Sequence, residues 1–314
     1  MWRSGARSTR RWIHTGRSWP TRSTGMSTIA FIGIGRMGWH MAGHLAKAGH
    51  DVAVCDAVDR VATKWAGEFG GQAVDSPSAA VSKAAFVITS LPADRELYAV
   101  AEQVIPSMSS GVVWIDHSTT SAEVARDIAA KVAGVGGHFL DAPVSGGVDG
   151  AKNGTLTVMA GGDASAFAAA ESVIGAYGAR VTLMGGPGAG QITKMTNQIC
   201  VIGLCQALAE GLDFAETAGL DVSKVIHVML QGSSASWQMA NRAERMLAGE
   251  YDYGFSNTLM RKDVGLVLEE ARNMNIPLPV TAMVGQMLSE VAAMGGANWD
   301  WCSLMERQRR RRLT

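Results

Sequence analysis

Short apolar segments alternate with amphipathic segments over the first half of the chain. Patterns typical of buried strands lie at residues 28–33, 52–55, 85–90, 112–115, 138–140 and 155–160. Helical patterns separate most of them, as at residues 37–48, where apolar side chains recur on one face before Gly49 ends the helix. This alternation predicts an α/β fold with a doubly wound parallel sheet that is covered by helices on both faces.

The pattern becomes purely helical after residue 190. One long helix is predicted from Gln191 to Ala218, and shorter ones follow at about 222–231, 236–247, 257–274 and 279–294. We therefore predict an α/β domain at residues 27–189 and an all-α C-terminal domain at residues 190–306. Ligand sites favour the interface between two such domains.

Basic residues are concentrated at the two ends of the chain. Residues 1–26 contain six Arg and no acid, and residues 307–314, a basic tail that we expect to be a disordered end, contain five Arg. The remainder, 27–306, carries 17 basic and 28 acidic residues and has a net charge of −11. Because a nucleic-acid partner requires a basic surface on the folded body, we predict no nucleic-acid partner.

Residues 1–26 form a separate extension. Their Arg-, Ser- and Thr-rich composition is typical of a mitochondrial transit segment. Three Trp, Pro20 and a second Met at position 26 favour instead a stretch translated from an upstream start codon, with the enzyme in the cytoplasm. No continuous apolar run reaches the roughly 18 residues that a membrane span needs, so we expect no membrane partner. The four cysteines show neither C-x-x-C pairing nor a companion His cluster, so we expect reduced thiols and no metal.

Residues 33–38 carry the glycine motif Gly33-Ile34-Gly35-Arg36-Met37-Gly38, between a predicted strand and a predicted helix. G-x-G-x-x-G in this setting indicates a Rossmann-type dinucleotide site, with the pyrophosphate at the helix N-terminus. Asp56 ends the second strand about 20 residues later, where a carboxylate binds the adenosine ribose hydroxyls and repels a 2′-phosphate. Asp56 therefore favours NAD over NADP, although Arg60 lies close by.

Two later segments carry groups suited to chemistry. Ser145, Gly146 and Gly147 follow a strand, and their hydroxyl and backbone N–H groups suit a bound carboxylate. Lys194 lies near the start of the long helix, with Asn197 and Gln198 on the same helix face. The helix dipole disfavours a charged Lys there and so prepares it for acid–base work near neutral pH. Taken alone, an ordinary Pro/Gly turn and a surface Lys followed by a polar cap explain these two segments better.

As an ordered set, these segments resemble the β-hydroxyacid dehydrogenase family over residues 28–305. The segments that carry the resemblance are Phe31–Leu45 (FIGIGRMGWHMAGHL), Asp141–Leu156 (DAPVSGGVDGAKNGTL) and Gly188–Gln198 (GAGQITKMTNQ). The resemblance implies that Lys194 is the catalytic acid/base. It implies further roles in substrate binding for Ser145, Gly146, Gly147, Asn197 and Gln198, and in cofactor binding for Leu91, Pro92, Thr119 and Lys262. Many members have Asn four residues after the Lys, whereas here Asn197 precedes Gln198, which leaves their roles open.

The family resemblance implies NAD-dependent oxidation of a small 3-hydroxy acid to its semialdehyde. The leading substrate is 3-hydroxyisobutyrate, an intermediate of valine catabolism, because Ser233, Ser234 and Trp237 resemble members that oxidise it. The alternative is reduction of tartronate semialdehyde (2-hydroxy-3-oxopropionate), which the pair Asn197–Gln198 favours. A different class, a non-catalytic dinucleotide-binding module, is disfavoured by Lys194. The apolar long helix predicts a homodimer or homotetramer.

Overall fold

The computed structural model describes residues 25–313, so residues 1–24 of the predicted extension lie outside the described residues. The α/β domain contains one mixed sheet of nine strands. The strands are β1 (Thr28–Ile32), β2 (Asp51–Cys55), β3 (Gln72–Ala73), β4 (Phe86–Thr89), β5 (Val113–Asp116), β6 (His138–Asp141), β7 (Val144–Ser145), β8 (Leu156–Gly162) and β9 (Gly178–Gly185).

Helices connect these strands and then make up the second domain. Those of the α/β domain are α1 (Gly38–Lys47), α2 (Asp59–Phe69), α3 (Pro77–Val81), α4 (Asp94–Val104), α5 (Ala122–Gly134), α6 (Gly147–Asn153) and α7 (Ala164–Ile174). Those of the helical domain are α8 (Ala189–Thr217), α9 (Val222–Met229), α10 (Trp237–Ala248), α11 (Asn257–Asn273), α12 (Pro279–Val291) and α13 (Leu304–Leu313). The Rossmann-type fold followed by an all-α domain is therefore confirmed.

The strand order is β3-β2-β1-β4-β5-β6-β8-β7, with β9 beside β8. The strands from β3 to β6 pair in parallel, as predicted, but β8 runs antiparallel to both β6 and β7. The prediction of a wholly parallel sheet is therefore wrong at this edge. The prediction also missed β3, β7 and β9, because two strands have only two residues each and β9 begins and ends at a glycine.

The parallel register places polar side chains together at one edge of the sheet. Asp116 at the end of β5 lies beside Asp141 at the end of β6, and Thr89 at the end of β4 lies beside Asp116. All three are fully buried, above an apolar core that includes Trp114 and Ile115. Ligands bind outside the carboxyl ends of parallel strands in such folds, so this polar edge is the floor of the candidate site.

Helix α8 connects the sheet to the helical domain. It packs on β8 and β9 and also on α10, α11, α12 and α13. By length and composition α8 is apolar enough to cross a membrane, although Lys194 and Gln198 interrupt its apolar sequence, so it is not the continuous apolar run that was predicted to be absent. Half of the most apolar part of α8 is buried inside the fold, as is typical of a core helix in a globular protein.

The basic tail folds as a helix, contrary to the expected disordered end. In α13, Arg309 forms an ion pair with Glu216 at the end of α8. Arg307 and Arg311 both pair with Glu290 of α12. The composition of the tail gave no sign of these ion pairs, because Glu216 and Glu290 lie far from it in sequence.

Candidate active site

The glycine motif shapes the turn between β1 and α1 into a cradle. Gly33 has φ +93°, and a Cβ there would lie 2.4 Å from the Ser90 carbonyl oxygen. A Cβ on Gly38 would lie 2.0 Å from the Gly33 carbonyl oxygen, so α1 and β1 approach each other through these glycines. Gly35, by contrast, faces open space with no atom within 4 Å of its Cβ position. This arrangement fits a pyrophosphate placed against the backbone at the start of a helix.

The other residues of the motif surround this cradle. Ile34 is buried, Met37 is half-buried at the N-terminal cap of α1, and Arg36 is exposed beside the opening. Asp56, just after β2, accepts the Ile34 N–H at 2.8 Å with one carboxylate oxygen and the Val58 N–H at 2.9 Å with the other. Asp56 is thus fixed beside the cradle, at the position where a carboxylate would meet the adenosine ribose.

The loops after β4 and β5 meet next to the cradle. Half-buried Leu91 contacts the Cβ position of Gly33, and exposed Pro92 follows it. The Leu91 N–H donates to the Ser118 hydroxyl at 2.9 Å, and that hydroxyl donates to Asp116 at 2.5 Å. Asp116 therefore holds both loops. Burial raises the pKa of Asp116 to about 6.

His117, which follows β5, contacts the next loop and a buried tyrosine. Its Nδ1 lies 2.7 Å from the Ala142 carbonyl oxygen, and its Nε2 lies 2.7 Å from the Tyr177 hydroxyl. A carbonyl only accepts, so Nδ1 carries the proton and Nε2 accepts from the tyrosine. Burial lowers the pKa of His117 to about 4, which keeps the imidazole neutral. The loop that follows Ala142 carries Ser145.

The candidate carboxylate nest lies at the start of α6. Ser145 ends β7, and Gly146 and Gly147 both have positive φ, +128° and +64°. The space at the Gly147 Cβ position is open. Lys194 reaches this turn from α8, and its Nζ donates to the Val144 carbonyl oxygen at 2.9 Å. The structure therefore brings the predicted nest and the predicted acid/base together, although they are about 50 residues apart in sequence.

Burial is the main influence on the pKa of Lys194. Desolvation lowers the pKa of Lys194, Lys262 lowers it further, and Asp263 opposes both. The direction agrees with the sequence expectation, but the reason differs. Helix α8 begins at Ala189, five residues earlier, so Lys194 lies beyond the first turn, where the dipole acts most strongly.

Asn197 and Gln198 occupy different environments. Gln198 is buried and donates to the Asp263 carboxylate at 2.6 Å. Asn197 is half-buried and donates to the Gln198 side-chain oxygen at 2.9 Å. Asp263 also forms an ion pair with Lys262 at 2.9 Å. These contacts fix the side chain of Gln198, which in turn holds the side chain of Asn197.

Lys262 links the two domains at the edge of the site. Its Nζ donates to the Thr119 carbonyl oxygen at 2.5 Å, from α11 to the loop after β5. Both residues were predicted to line the cofactor. Asp263 and Asp116 had no predicted role, and no local pattern marks a buried carboxylate whose partners are distant in sequence.

Trp237, exposed at the start of α10, lies 5.5 Å from the Arg242 guanidinium.

Within residues 25–313, no group of three or more His, Cys, Asp or Glu side chains is arranged to hold a metal ion. An α/β domain with a dinucleotide cradle, completed by a buried lysine from a helical domain, defines a nicotinamide-dependent oxidoreductase.

Comparison with known proteins agrees with this class. Residues 28–186 match a family described as the NAD binding domain of 6-phosphogluconate dehydrogenase. Residues 188–307 match a family described as the NAD-binding domain of NADP-dependent 3-hydroxyisobutyrate dehydrogenase.

Individual relatives match over nearly their whole length. An uncharacterized oxidoreductase of Shewanella frigidimarina is 49% identical over 285 residues, covering 90% of this chain and 98% of the relative. The 2-hydroxy-3-oxopropionate reductase of Escherichia coli is 33% identical over 281 residues, covering 88% and 96%. A structure of Mycobacterium tuberculosis 3-hydroxyisobutyrate dehydrogenase with L-serine has a TM-score of 0.84 at 30% identity, covering 91% and 100%.

The chain belongs to the β-hydroxyacid dehydrogenase family, which includes 3-hydroxyisobutyrate dehydrogenase and tartronate semialdehyde reductase. It is an NAD(P)-dependent hydroxyacid dehydrogenase.

Proposed function

We propose that this enzyme oxidises a small 3-hydroxy acid to its semialdehyde, with 3-hydroxyisobutyrate to methylmalonate semialdehyde as the leading reaction. The contact between Lys194 Nζ and the Val144 carbonyl supports the proposal best, because a lysine amine can exchange a proton and this one lies next to the candidate carboxylate nest. A 3-hydroxy acid needs an acid/base group for its hydroxyl and an anion-binding turn for its carboxylate, and the two must lie close together.

Each side chain then has a definite task. Ser145 and the N–H groups of Gly146 and Gly147 bind the substrate carboxylate. As the hydroxyl carbon loses its hydride, Lys194 takes the hydroxyl proton, and in the reverse direction it returns that proton to the carbonyl oxygen. Asn197 faces the substrate, and Gln198 holds Asn197 from behind.

The cofactor in this proposal is NAD, which supplies the hydride acceptor when it is bound. Asp56 supports the preference over NADP, since its carboxylate attracts ribose hydroxyls and repels a phosphate. Residues 33–38 would hold the pyrophosphate. Leu91, Pro92, Thr119 and Lys262 would line the rest of the cofactor site.

Tartronate semialdehyde (2-hydroxy-3-oxopropionate) is the second candidate substrate. The adjacent amides of Asn197 and Gln198 suit its extra hydroxyl, and the E. coli relative is named for this reduction. Ser233, Ser234 and Trp237 favour 3-hydroxyisobutyrate instead.

One activity panel tests the proposal. Oxidation of 3-hydroxyisobutyrate, L-serine and 3-hydroxypropionate, and reduction of tartronate semialdehyde, are each measured with both cofactors. We expect one acid to be preferred, and we expect Lys194→Ala to lose about 10²- to 10⁴-fold in kcat while still binding NAD. If the wild-type enzyme binds NAD and turns over none of the acids, the chain is a non-catalytic dinucleotide-binding module.

We also propose that a second copy of the chain packs on α8. Its exposed face carries Leu204 and Phe214, and the neighbouring face of α12 carries Val280 and Met283, all largely exposed. Large apolar side chains that are exposed on neighbouring helices favour an interface. Phe214→Glu is expected to reduce the native mass by light scattering to that of a smaller assembly. An unchanged mass would exclude this face.

The bacterial relatives support the cytoplasm as the location of the enzyme. The mitochondrial alternative depends only on residues 1–26, most of which lie outside the described residues, and these relatives give it no support.

A further inference from the structure

The carboxylate of Asp141 holds the start of the helix that carries Lys194. One oxygen accepts the Gly188 N–H at 2.8 Å, and the other accepts the Gln191 N–H at 2.9 Å. Asp141 is fully buried at the end of β6, so a residue of the sheet binds two N–H groups at the beginning of α8. These N–H groups would otherwise lack partners inside the helix.

Two glycines pack closely against the carboxylate of Asp141. A Cβ on Gly161 of β8 would lie 2.6 Å from an Asp141 carboxylate oxygen. A Cβ on Gly190 would lie 2.3 Å from the Asp141 backbone oxygen and 2.9 Å from its other carboxylate oxygen. Strand, carboxylate and helix are thus in direct contact.

The contacts made by Asp141 and by Lys194 join the same two chain segments. Asp141 binds the Gln191 N–H, and three residues further along each segment Lys194 binds the Val144 carbonyl. A slip of α8 by one residue would move Lys194 by about 1.5 Å along the helix axis. Misplacement of about 1 Å can cost about 10²-fold in rate.

We propose that Asp141 is a positioning residue, which sets the place of the Lys194 amine beside the Ser145 turn through its two hydrogen bonds to the start of α8. This inference rests on the proposed function, in which Lys194 moves the proton. Asp141 touches neither substrate nor cofactor in this account, and its effect passes through the helix.

The charged groups around Lys194 and Asp141 determine how a displacement of α8 would change the pKa of Lys194. Lys194 faces Asp263 and Lys262 of α11, while Asp141 faces Asp116 of β5. If α8 shifts, Lys194 loses part of its burial, and its pKa rises towards the ordinary lysine value.

The test compares Asp141→Asn with Asp163→Asn. Asp163 also accepts two N–H groups at the start of a helix, those of Ser165 and Ala166, but it is the N-cap residue of α7 itself, and α7 carries no site residue. For Asp141→Asn we expect kcat to fall about 10- to 100-fold. The KM for NAD should stay near the wild-type value, and the rising limb of the pH–rate profile for oxidation should move to higher pH. Asp163→Asn should lose stability and keep wild-type kinetics.

Two results would overturn the inference. One is wild-type kcat and an unshifted pH limb in Asp141→Asn, and the other is an equal kinetic loss in Asp163→Asn. If Asp141→Asn does not fold, Gly161→Ala presses on the same carboxylate from β8 and should give the same kinetic signature.

A substrate-free measurement separates this inference from the proposed function. The pKa of Lys194 is followed by NMR in the folded chain with ¹³C-labelled lysine, and its signal is assigned with Lys194→Arg. A higher Lys194 pKa in Asp141→Asn supports the inference even if no hydroxy acid is oxidised. An equal pKa in the two proteins contradicts it even if wild-type activity is found.

Discussion

The side-chain amide of Gln198 on α8 donates a 2.6 Å hydrogen bond to the buried carboxylate of Asp263 on α11. The same carboxylate pairs with Lys262 and raises the proton affinity of Lys194. One buried carboxylate therefore links Lys194, the neighbouring amides of Asn197 and Gln198, and Lys262, which reaches the other domain.

Asp263→Asn is expected to lower the pKa of Lys194 further, because the carboxylate stabilises the charged amine. Oxidation requires the neutral amine, so the rising limb of kcat/KM should move to lower pH. The profile is measured at saturating NAD.

Lys262→Met is the matched comparison for that variant. It removes a positive charge that lowers the pKa of Lys194, so the limb should move to higher pH. Shifts of the two variants in the same direction would contradict this electrostatic account.

The glycines of the cradle are expected to respond differently to substitution. Gly38→Ala forces a Cβ against the Gly33 carbonyl, so both the melting temperature and the cofactor affinity should fall. Gly35→Ala has open space, so the chain should fold normally, while the cofactor Kd rises about tenfold or more as the pyrophosphate is pushed outward. Thermal unfolding and fluorescence titration measure the two effects separately. Normal NAD binding by Gly35→Ala would argue against a pyrophosphate at this turn.

Asp56→Asn should weaken discrimination between the two cofactors. The amide keeps an oxygen that can accept the Ile34 N–H but loses the charge. We expect the ratio of kcat/KM for NAD to that for NADP to fall by the equivalent of about 1.5 to 3 kcal/mol, the worth of a hydrogen bond to a charged group. An unchanged ratio would show that another residue, such as Arg60, governs the choice.

How far the sequence alone predicted this molecule depended on the range of the interactions involved. Periodicity identified the main strands and helices because it is a local property, and the glycine motif located the cradle for the same reason. The role of Asp141 at α8 involves residues 47 positions apart, and the pairing of Arg309 with Glu216 spans 93. Neither leaves a local pattern. Gln198 and Asn197 were indistinguishable by spacing, and only the packing of α11 separates their environments.

The buried Asp116 should make stability depend on pH. Its pKa is raised from 3.8 to about 6 in the folded chain, so its stabilising contribution is fully present below pH 3.8 and is lost as the pH rises through about 6. One of its oxygens has no hydrogen-bond partner among the described residues, so Asn should fit there. Relative to Asp116→Asn, the wild-type protein should lose up to about 3 kcal/mol of unfolding free energy over this range. Urea unfolding at a series of pH values that begins below 3.8 and ends above 6 measures this difference. A constant difference would mean that Asp116 does not titrate there.

The C-terminal helix α13 has a practical consequence for anyone who produces this enzyme. Arg309 binds the end of the helix that carries Lys194, and Arg307 and Arg311 bind α12. An affinity tag or a fluorescent fusion attached to this helix would lie close to these contacts. Recombinant forms should therefore carry their fusions at the amino end, where the glycine cradle begins only after residue 32.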